Sequence, residues 1–249
     1  MPKIKKGQDV LLLEKEHSYL VRIEKRSLHI QGGMIELESL VGKPFGSIIQ
    51  THKGIEFVAV EPTTNDLIVK RIKRMPATIH FKDIGLILGM TGLSKHAKVL
   101  EAGTGTGQAT FALSRNAKEV HSYEIREDFF RNAQKNFEVL GAGNIFLKNK
   151  DILEGISQKD FDLALLDMRN AERAVPIAYK ALKPGGFLVV YSPYIEQVKA
   201  VVEEIEKLDF TPHKTFETIM RYWDVREHTL PKRAGMMHTA FITIARKFK

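Results

Sequence analysis

Four carboxylates and one glycine-rich turn are the parts of this sequence best suited to chemistry. The turn reads "AGTGTG" with Glu101 directly before it, and Glu124, Asp151 and Asp167 follow along the chain. Glycine has no Cβ atom, so a glycine turn lets the backbone adopt positive φ angles and approach a ligand closely. Carboxylates accept hydrogen bonds from hydroxyl, amine and ammonium groups. Together these residues indicate a pocket for a ligand that carries such donors.

Each of the four acids stands at the end of an apolar run that has the composition of a strand. The runs are "AKVLEAG", "EVHSYEI", "NIFLKNKD" and "FDLALLDM". Because the carboxyl ends of parallel strands meet at one edge of a sheet, we expect the acids to lie beside the glycine turn. A single carboxylate is usually a solvated loop residue, whereas four at successive strand ends favour a binding site.

The order of elements around these strands predicts an α/β fold. "GQATFALSRNA", "EDFFRNAQKNFEVLGA", "AERAVPIAYKALKPGG" and "YIEQVKAVVEEIEKLDF" have helical periodicity, and "FLVVYSP" is typical of a strand. Two terminal strands follow in "HKTFETIMRYWDVRE" and "MHTAFITIARKF", without a clear helix between them. The alternation predicts a doubly wound, mostly parallel seven-stranded sheet, in which a terminal hairpin leaves one strand antiparallel.

The first 75 residues have a different pattern. "DVLLLE", "SYLVRIE", "IIQTHKGIEFVAVEP" and "LIVKRIK" are short strand-like runs that glycine turns separate, and no helical stretch of useful length stands out. They predict a small N-terminal domain of β-barrel or sandwich type at 1–75, followed by the α/β domain at 76–249. That second domain opens with a helical stripe in "HFKDIGLILGMTGL", closed by Gly92.

Composition narrows the classes of function. The 249 residues include 38 Lys and Arg against 30 Asp and Glu, a net charge of +8, which favours a polyanionic partner such as nucleic acid over a merely basic surface. Cysteine is absent, which excludes disulfides, thiolate catalysis and cysteine-ligated zinc. No apolar run reaches the roughly 18 residues of a membrane span, and the N-terminal leucine run is too short for a signal peptide. We therefore expect a cytoplasmic protein without a membrane partner.

The details of the turn constrain its ligand. The glycines are spaced G-x-G-x-G rather than G-x-G-x-x-G, which disfavours a dinucleotide, and Glu101 could face the ammonium group of an amino acid. Glu124 stands 19 residues after Gly105, where an acid at the end of the second strand suits a ribose diol. A helix N-terminus after the turn offers free N–H groups to a pyrophosphate or a carboxylate. Binding sites for nicotinamide dinucleotides and for S-adenosylmethionine (SAM) share an acid at the end of the second strand.

The series "VLEAGTGTG", "YEI", "NKDIL", "FDLALLD" and "LKPGGFLVVYSP" resembles the class I SAM-dependent methyltransferases. The resemblance implies a Rossmann-like methyltransferase fold and assigns the methionine moiety to Glu101, Gly103, Thr104, Gly105, Thr106, Gly107, Gln108 and Ala109. It places the ribose hydroxyls on Glu124, with Ile125 against the adenine face. It also places the adenine amine on Asp151, with Ile152 beside it, and sets Asp167 at the edge of the cofactor site.

A narrower resemblance covers nearly the whole chain. "HFKDIGLIL", "VLEAGTGTG", "YSPYIEQV", "YWDVRE" and "HTAFITIARK" occur in the order found in the tRNA (adenine-58-N1)-methyltransferase family, which also carries a small N-terminal β-domain. The resemblance implies transfer of a methyl group from SAM to N1 of adenosine 58 in the tRNA T-loop. It further implies a homotetramer.

Three residues are candidates for catalysis. The family implies that Asp167 accepts from the exocyclic amine of the target adenine, although an acid there could instead cap the next helix. His80 could stack on or hydrogen-bond the base, or be an ordinary loop histidine. Tyr191 could wall the pocket or simply pack in the core. The segment after Asp167, "DMRNAERAV", lacks the early proline that is usual in the family.

The basic residues that could bind tRNA are expected mainly in the loop "REHTLPKRAG" between the terminal strands, and we single out Arg221, Lys232 and Arg233. Arg226 and the run "KRIKR" at residues 70–74 are further candidates, and each is individually consistent with a solvated charge. Trp223 is expected to pack rather than to stack on the base. His238 matches a position of the family in the final strand, and a catalytic role for it is disfavoured.

Three other functions remain open. The chain could be a methyltransferase for another acceptor such as protein isoaspartate, since that class has a similar glycine loop. That class lacks the N-terminal β-module, which disfavours this alternative. It could be a non-catalytic tRNA-binding subunit, which the altered segment after Asp167 favours and the retained acids disfavour. A dinucleotide oxidoreductase is disfavoured by the glycine spacing.

Overall fold

Short alternating runs near the N-terminus fold into antiparallel sheets, and the β-α alternation that follows folds into a separate α/β unit. The computed structural model describes residues 1–73, 78–227, 229–232 and 238–249. Contacts divide the chain into the units Met1–Ile72 and Lys73–Lys249, and the predicted boundary between residues 75 and 76 lies outside the described residues. None of the described helices is both long and apolar enough to cross a bilayer.

The first unit contains six short strands: β1 (Asp9–Leu13), β2 (Ser18–Arg22), β3 (Ser27–Ile30), β4 (Gly33–Glu36), β5 (Ser47–Gln50) and β6 (Glu56–Val60). Four of them form an antiparallel sheet in the order β2-β1-β6-β5, and β3 pairs with β4 as a separate hairpin. Alternate residues face the core, as in β6, where Phe57 and Ala59 are buried and Glu56 and Val58 are exposed. This arrangement confirms the predicted β-rich N-terminal part.

One expectation for this unit is wrong, because the run "LIVKRIK" is mostly helical rather than a strand. Helix α1 spans Thr64–Arg71. A capping box starts it: the Asp66 N–H donates to the Thr63 hydroxyl at 3.2 Å, and the Thr63 N–H donates to the Asp66 carboxylate at 2.9 Å. These bonds satisfy N–H groups that the first helical turn leaves free. Local capping therefore outweighs the strand-like composition of the residues that follow.

The second unit is an α/β fold with one seven-stranded sheet. Its elements are α2 (Phe81–Thr91), β7 (Lys98–Ala102), α3 (Gln108–Ser114), β8 (Glu119–Tyr123), α4 (Glu127–Leu140), β9 (Ile145–Lys148), β10 (Phe161–Leu166), α5 (Ala171–Ala181), β11 (Leu182–Ser192), α6 (Ile195–Glu206), β12 (Lys214–Phe216), β13 (Trp223–Asp224), β14 (Leu230–Pro231) and β15 (Phe241–Arg246). The sheet order is β12-β15-β11-β10-β7-β8-β9. Strands β7 to β11 run parallel and β15 runs antiparallel to its neighbours, which confirms the predicted fold class.

The register of the parallel strands aligns their carboxyl ends. Ala102 of β7 pairs with Leu166 of β10 on one side and with Tyr123 of β8 on the other. Leu166 in turn pairs with Val190 of β11. The residues that follow these partners therefore emerge at the same level of the sheet, and they are the glycine turn, Glu124, Asp167 and Tyr191.

The predicted long strand in "HKTFETIMRYWDVRE" is wrong in extent. Only β12, Lys214–Phe216, joins the large sheet, and β13 pairs instead with β14 in a separate two-stranded hairpin. The chain leaves the sheet after Phe216 because the next side chains are engaged elsewhere. Thr218 donates its hydroxyl proton to the buried Asp83, and Glu217 is paired with His238.

Candidate active site

The glycine turn has a backbone that a side chain would disturb. Gly105 and Gly107 have φ angles of +57° and +82°, in the left-handed region that favours glycine. A Cβ on Gly107 would lie 2.4 Å from a ring carbon of Phe137. A Cβ on Gly103 would lie 3.4 Å from both the Asp167 carbonyl and a Glu124 carboxylate oxygen. The turn thus passes close to two of the predicted acids and leads directly into α3, which begins at Gln108.

A small cleft opens at this turn, and it brings together most of the residues predicted for the methionine moiety. Its lining residues are Thr78, Ile79, Gly103, Thr104, Gly105, Thr106, Gln108, Ala109 and Asp167. Two buried polar atoms in it, Thr106 Oγ1 and Gln108 Oε1, have no hydrogen-bond partner among the described residues. An unpaired buried polar atom is costly, so these two atoms indicate that a polar ligand completes the cleft. Thr78 and Ile79 were not predicted, since no motif marks them.

Glu101 lies beneath the turn rather than in the open cleft. It is 1% exposed, and one of its carboxylate oxygens accepts hydrogen bonds from Thr110 and Ser122, each at 2.6 Å. Burial raises the pKa of Glu101 to about 8, and the charges of Asp167 and Glu124 act in the same direction. The side chain was expected to face an ammonium group, and the structure places it among hydroxyls of β8 and α3.

Glu124 links the glycine turn to the end of β8. One carboxylate oxygen accepts from the Gly105 N–H at 2.9 Å and the other from the Arg126 N–H at 2.9 Å. Each carboxylate oxygen has a second lone pair, so Glu124 can still accept from two hydroxyls of a ligand. Ile125 follows it with 65% of its surface exposed. The two residues are placed as a diol acceptor with an apolar cover beside it.

Asp151 and Ile152 lie at the end of the next strand. The Asp151 carboxylate accepts from the Leu153 N–H at 2.9 Å and caps the short 3₁₀ turn Ile152–Glu154. Ile152 is 2% exposed and belongs to the core of this unit, so its side chain is committed to packing. Asp151 keeps a partly exposed carboxylate at the sheet edge.

Asp167 follows β10 and adjoins the glycine turn through the backbone. Its N–H donates to the Ala102 carbonyl at 2.5 Å, and its carbonyl accepts from the Gly103 N–H at 3.1 Å. Loss of hydration, with a contribution from the charge of Glu124, raises the pKa of Asp167 to about 7. It was predicted either to act on the base or to cap the next helix. The residue that precedes α5 is Asn170, so Asp167 is not that cap.

His80 is the N-cap of α2. Its Nδ1 accepts from the Lys82 N–H at 3.2 Å, so the neutral ring carries its proton on Nε2, which is then a donor. The sequence left open whether His80 contacts the base or is an ordinary loop histidine. The structure gives it a capping role. His80 directly follows Thr78 and Ile79, and these two residues line the cleft.

Tyr191 is 8% exposed, and its hydroxyl donates to Asp83 at 3.0 Å. Burial, together with the negative charge of Asp83, raises the pKa of this phenol. Burial opposes ionisation of Asp83, but hydrogen bonds from Lys82, Thr218 and Thr239 outweigh it and hold the pKa of Asp83 below its usual range. Sequence reasoning missed this cluster. The available signal is that Asp83 shares the buried face of α2 with Ile87, one helical turn later.

The predicted tRNA-binding residues lie apart from the cleft residues along the chain. Arg221 and Lys232 are exposed, and Arg233 lies outside the described residues. Arg226 pairs with Asp224 at 3.0 Å. In the first unit, Lys70 donates to the Ser18 carbonyl at 2.7 Å and Arg71 pairs with Asp9 at 2.5 Å, while residue 74 of that basic run lies outside the described part.

Two further expectations concern Trp223 and His238. Trp223 was expected to pack, and this is wrong, because its side chain is 53% exposed on the short β13–β14 hairpin. His238 lies 2.6 Å from Glu217 and contacts the Pro193 carbonyl at 3.3 Å. The hydrogen bond to Glu217 raises the pKa of His238. The contacts of His238 therefore link it to Glu217 and Pro193 rather than to the residues that line the cleft.

Comparison with known proteins accounts for this arrangement. Residues 56–246 match the model of the family described as tRNA methyltransferase complex GCD14 subunit. The chain belongs to this family. A TrmI relative from Methanocaldococcus jannaschii, named tRNA (adenine(57)-N(1)/adenine(58)-N(1))-methyltransferase, is 33% identical over 95% of this chain and 94% of its own length. The tRNA (adenine(58)-N(1))-methyltransferase TrmI of Thermus thermophilus is 30% identical over 99% of this chain and 96% of its own.

Two solved structures of methyltransferases share the fold over 99–100% of this chain. The crystal structure of the tRNA (m1A58) methyltransferase TrmI from Aquifex aeolicus superposes with a TM-score of 0.78 at 28% identity, covering 100% of both chains. A SAM-dependent O-methyltransferase from Thermotoga maritima superposes with a TM-score of 0.83 at 29% identity, covering 99% of this chain and 95% of its own. A SAM-dependent methyltransferase fold implies SAM as the methyl donor of this family member.

Proposed function

We propose that this chain transfers the methyl group of SAM to N1 of adenosine 58 in tRNA. One structural observation carries the proposal. The strand register sets Asp167 against the glycine turn, in the cleft where two buried polar atoms have no partner within the described part of the chain. The relatives named for this reaction extend over nearly the same length of chain, which supports the same activity here.

The residues of the cleft fit the groups that SAM carries. Gln108 Oε1 accepts no hydrogen bond from the described residues and suits the α-ammonium group, while the N–H groups at the start of α3 suit the α-carboxylate. The glycine at position 103 leaves open the space beside Glu124, where a Cβ would reach van der Waals contact with the carboxylate. The remaining lone pairs of Glu124 suit the ribose hydroxyls, Ile125 would lie against the adenine face, and Asp151 would accept from the adenine amine.

Asp167 would act on the acceptor adenine. When bound, SAM supplies an electrophilic methyl group on a sulfonium sulfur. The bond from adenine N1 to the methyl carbon would replace the methyl–sulfur bond, so sulfur would leave as a neutral thioether and the positive charge would pass to the adenine ring. The exocyclic amine then becomes more acidic, and a carboxylate that accepts from it stabilises the developing charge. The backbone bonds of Asp167 to Ala102 and Gly103 hold this carboxylate beside the methyl donor site.

The remaining site residues would hold the base and the RNA. Nδ1 of His80 accepts from the first turn of α2, so the Nε2–H would donate to the base. The ring of Tyr191 would form a wall of the acceptor pocket, since its hydroxyl is occupied by Asp83. Arg221, Lys232 and Arg233 would contact tRNA phosphates, which predicts binding that weakens as salt rises.

We further propose that the chain acts as a homotetramer in the cytoplasm, where its tRNA substrate is found. Large apolar side chains between residues 219 and 232 stay uncovered in the single chain, and these are Ile219, Tyr222, Trp223, Val225 and Leu230. An exposed cluster of this kind supports a contact between copies. Light scattering of the purified protein should give four times the mass of 28.2 kDa, and a monomer would contradict the assignment.

Substitution of Asp167 tests the proposed chemistry. Asp167→Ala should bind SAM as the wild type does but methylate tRNA more slowly by about 10² to 10³, the usual loss when one preorganised electrostatic group is removed. Calorimetric titration with SAM measures binding, and single-turnover transfer of labelled methyl to a tRNA transcript measures chemistry. Glu119→Gln, at the opposite end of β8, is the matched control. A wild-type rate for Asp167→Ala would overturn the role of this residue.

A further inference from the structure

Five side chains form a closed polar cluster beside the proposed acceptor site. We call Lys82, Asp83, Tyr191, Thr218 and Thr239 the Lys82–Asp83 cluster. The ammonium group of Lys82 donates to Asp83 at 2.8 Å and to the hydroxyls of Thr218 and Thr239 at 2.6 Å each. Both threonine hydroxyls donate onward to Asp83, and Tyr191 donates to the same carboxylate.

Every donor and acceptor of the ion pair in this cluster is used. The three ammonium protons of Lys82 have three different acceptors, and each carboxylate oxygen of Asp83 accepts two bonds. The two side chains are 5% and 0% exposed. An ion pair this deeply buried is weak support for stability by itself, because apolar residues of similar size often replace such pairs without loss. Its geometry is therefore more informative than its strength, since a fully satisfied network fixes one arrangement of the elements that it joins.

The cluster joins four separate places in the second unit. Lys82 and Asp83 are in the first turn of α2, two and three residues after His80, and Tyr191 is near the end of β11. Thr218 lies two residues after β12 and Thr239 two residues before β15. The segment 219–238 runs between these threonines, and the structure describes its residues 219–227, 229–232 and 238. The cluster therefore holds both ends of this basic, partly apolar segment.

The cluster also reaches the proposed catalytic residues. The register of β10 on β11 pairs Leu166 with Val190, so Asp167 and Tyr191 are the next residues of neighbouring strands. Asp83 fixes the position of the Tyr191 hydroxyl and hence the direction in which this side chain extends. Lys82 binds His80 through its backbone N–H. None of these contacts involves the glycine turn or Glu124.

We propose that the Lys82–Asp83 cluster positions the RNA acceptor side of the site, by fixing the Tyr191 ring beside Asp167 and by anchoring both ends of the segment 219–238. Its part in catalysis rests on the proposed tRNA methylation, while the anchoring is a property of the protein alone. Lys82 and Asp83 are positioning residues here, because they act through Tyr191 and through the segment and do not touch the substrate.

Two variants separate positioning from stability. Asp83→Asn breaks the cluster and leaves Lys82 buried without its counter-ion, so it can also weaken folding. The double variant Lys82→Met, Asp83→Leu replaces the pair by apolar side chains of similar size, which should preserve the fold while still releasing Tyr191 and the two threonines. Glu119→Gln is the control. It alters a different ion pair, between Glu119 and Lys98, which lies at the opposite ends of the sheet strands.

The first measurement does not depend on RNA. Trp223 is the only tryptophan of the chain and lies within the segment 219–238, so its fluorescence anisotropy reports on that segment. The double variant should show a larger fast depolarisation of Trp223 than the wild type and Glu119→Gln, at unchanged circular dichroism. Wild-type anisotropy in the double variant would overturn the anchoring.

The second measurement is steady-state methylation of a tRNA transcript together with SAM titration. Both variants should lower kcat/KM for tRNA by about 10- to 100-fold, the cost of misplacing reacting groups, while the Kd for SAM stays within about threefold of the wild type. A folded double variant with wild-type kcat/KM, or a parallel loss of SAM affinity, would overturn acceptor positioning. If the wild type itself methylates no tRNA, the proposed function fails, and the Trp223 measurement still decides the anchoring.

Discussion

Replacing Glu101 by glutamine should remove a pH dependence of stability that this buried carboxyl imposes on the second unit. Glu101 is 1% exposed and accepts from Thr110 and Ser122 through one oxygen. Burial raises its pKa from 4.5 to about 8 in the folded protein. Glutamine has nearly the same shape and keeps one acceptor oxygen for the two hydroxyls. It carries no titratable proton.

The sign and size of the effect follow from proton linkage. Between about pH 4.5 and pH 8 the folded protein holds a proton on Glu101 that the unfolded chain releases. The free energy of unfolding therefore falls as pH rises, by up to about 1.4 kcal/mol per pH unit for one proton. From pH 5 to pH 8 the loss reaches an upper bound of about 4 kcal/mol. The stabilising contribution of the neutral carboxyl is fully present below the unfolded pKa and is lost as pH rises through the folded pKa.

Urea unfolding at several pH values between 5 and 8 measures this contribution. Other titrating groups change with pH in both proteins, so the quantity of interest is the difference between wild type and Glu101→Gln at each pH. The wild type should lose stability relative to the variant as pH rises. Parallel stability curves for the two proteins would show that Glu101 is ionised in the folded state, and the linkage argument would then be refuted.

Three other predictions follow from the same site. Gly107→Ala should destabilise the protein by about 2–5 kcal/mol in urea unfolding, because alanine is strained at a positive φ angle and its Cβ would clash with Phe137. Adding Phe137→Leu should recover only the part of this free energy that comes from the clash. Full recovery would contradict the backbone argument. Gln108→Leu should raise the Kd for SAM about tenfold or more by calorimetry, because it removes a hydrogen bond to a charged group, and an unchanged Kd would exclude that bond. The kcat/KM for tRNA should rise as pH increases through about 7 while Asp167 loses its proton, and this rise should disappear in Asp167→Asn; a flat wild-type profile would contradict the role of its carboxylate.

The sheet edge that forms the site could be predicted from sequence, because it depends on the periodicity of the strands and helices and on the position of the acids at strand ends. A strand that ends in an acid, followed by a turn and a helix, recurs along the second unit, and parallel pairing brings such ends together. The observed pairing of Ala102 with Leu166 and Tyr123 is the register that this reasoning needs. The role of each acid was harder to predict. Glu101 and Glu124 both follow the end of a strand pattern and are both buried, but Glu101 accepts from two hydroxyls and Glu124 from two backbone N–H groups.

Contacts between distant parts of the chain could not be predicted in this way. Asp83 is 108 residues from Tyr191 and 156 from Thr239, and no local pattern links them. The helix α1 was missed because two capping bonds of Thr63 and Asp66 decide a segment whose composition favours a strand. In both cases a few specific hydrogen bonds outweigh the average preference of the residues around them.

The most direct test of the account is to map the methyl group on the RNA product. The purified protein is incubated with labelled SAM and an unmodified tRNA transcript, and the modified nucleoside is identified and located. A second transcript with guanosine in place of adenosine 58 is the matched control. The account predicts N1-methyladenosine at position 58, lost in the control transcript and strongly reduced with Asp167→Ala. Label on protein, label at another nucleoside that persists in the control, or no label despite SAM binding would contradict it.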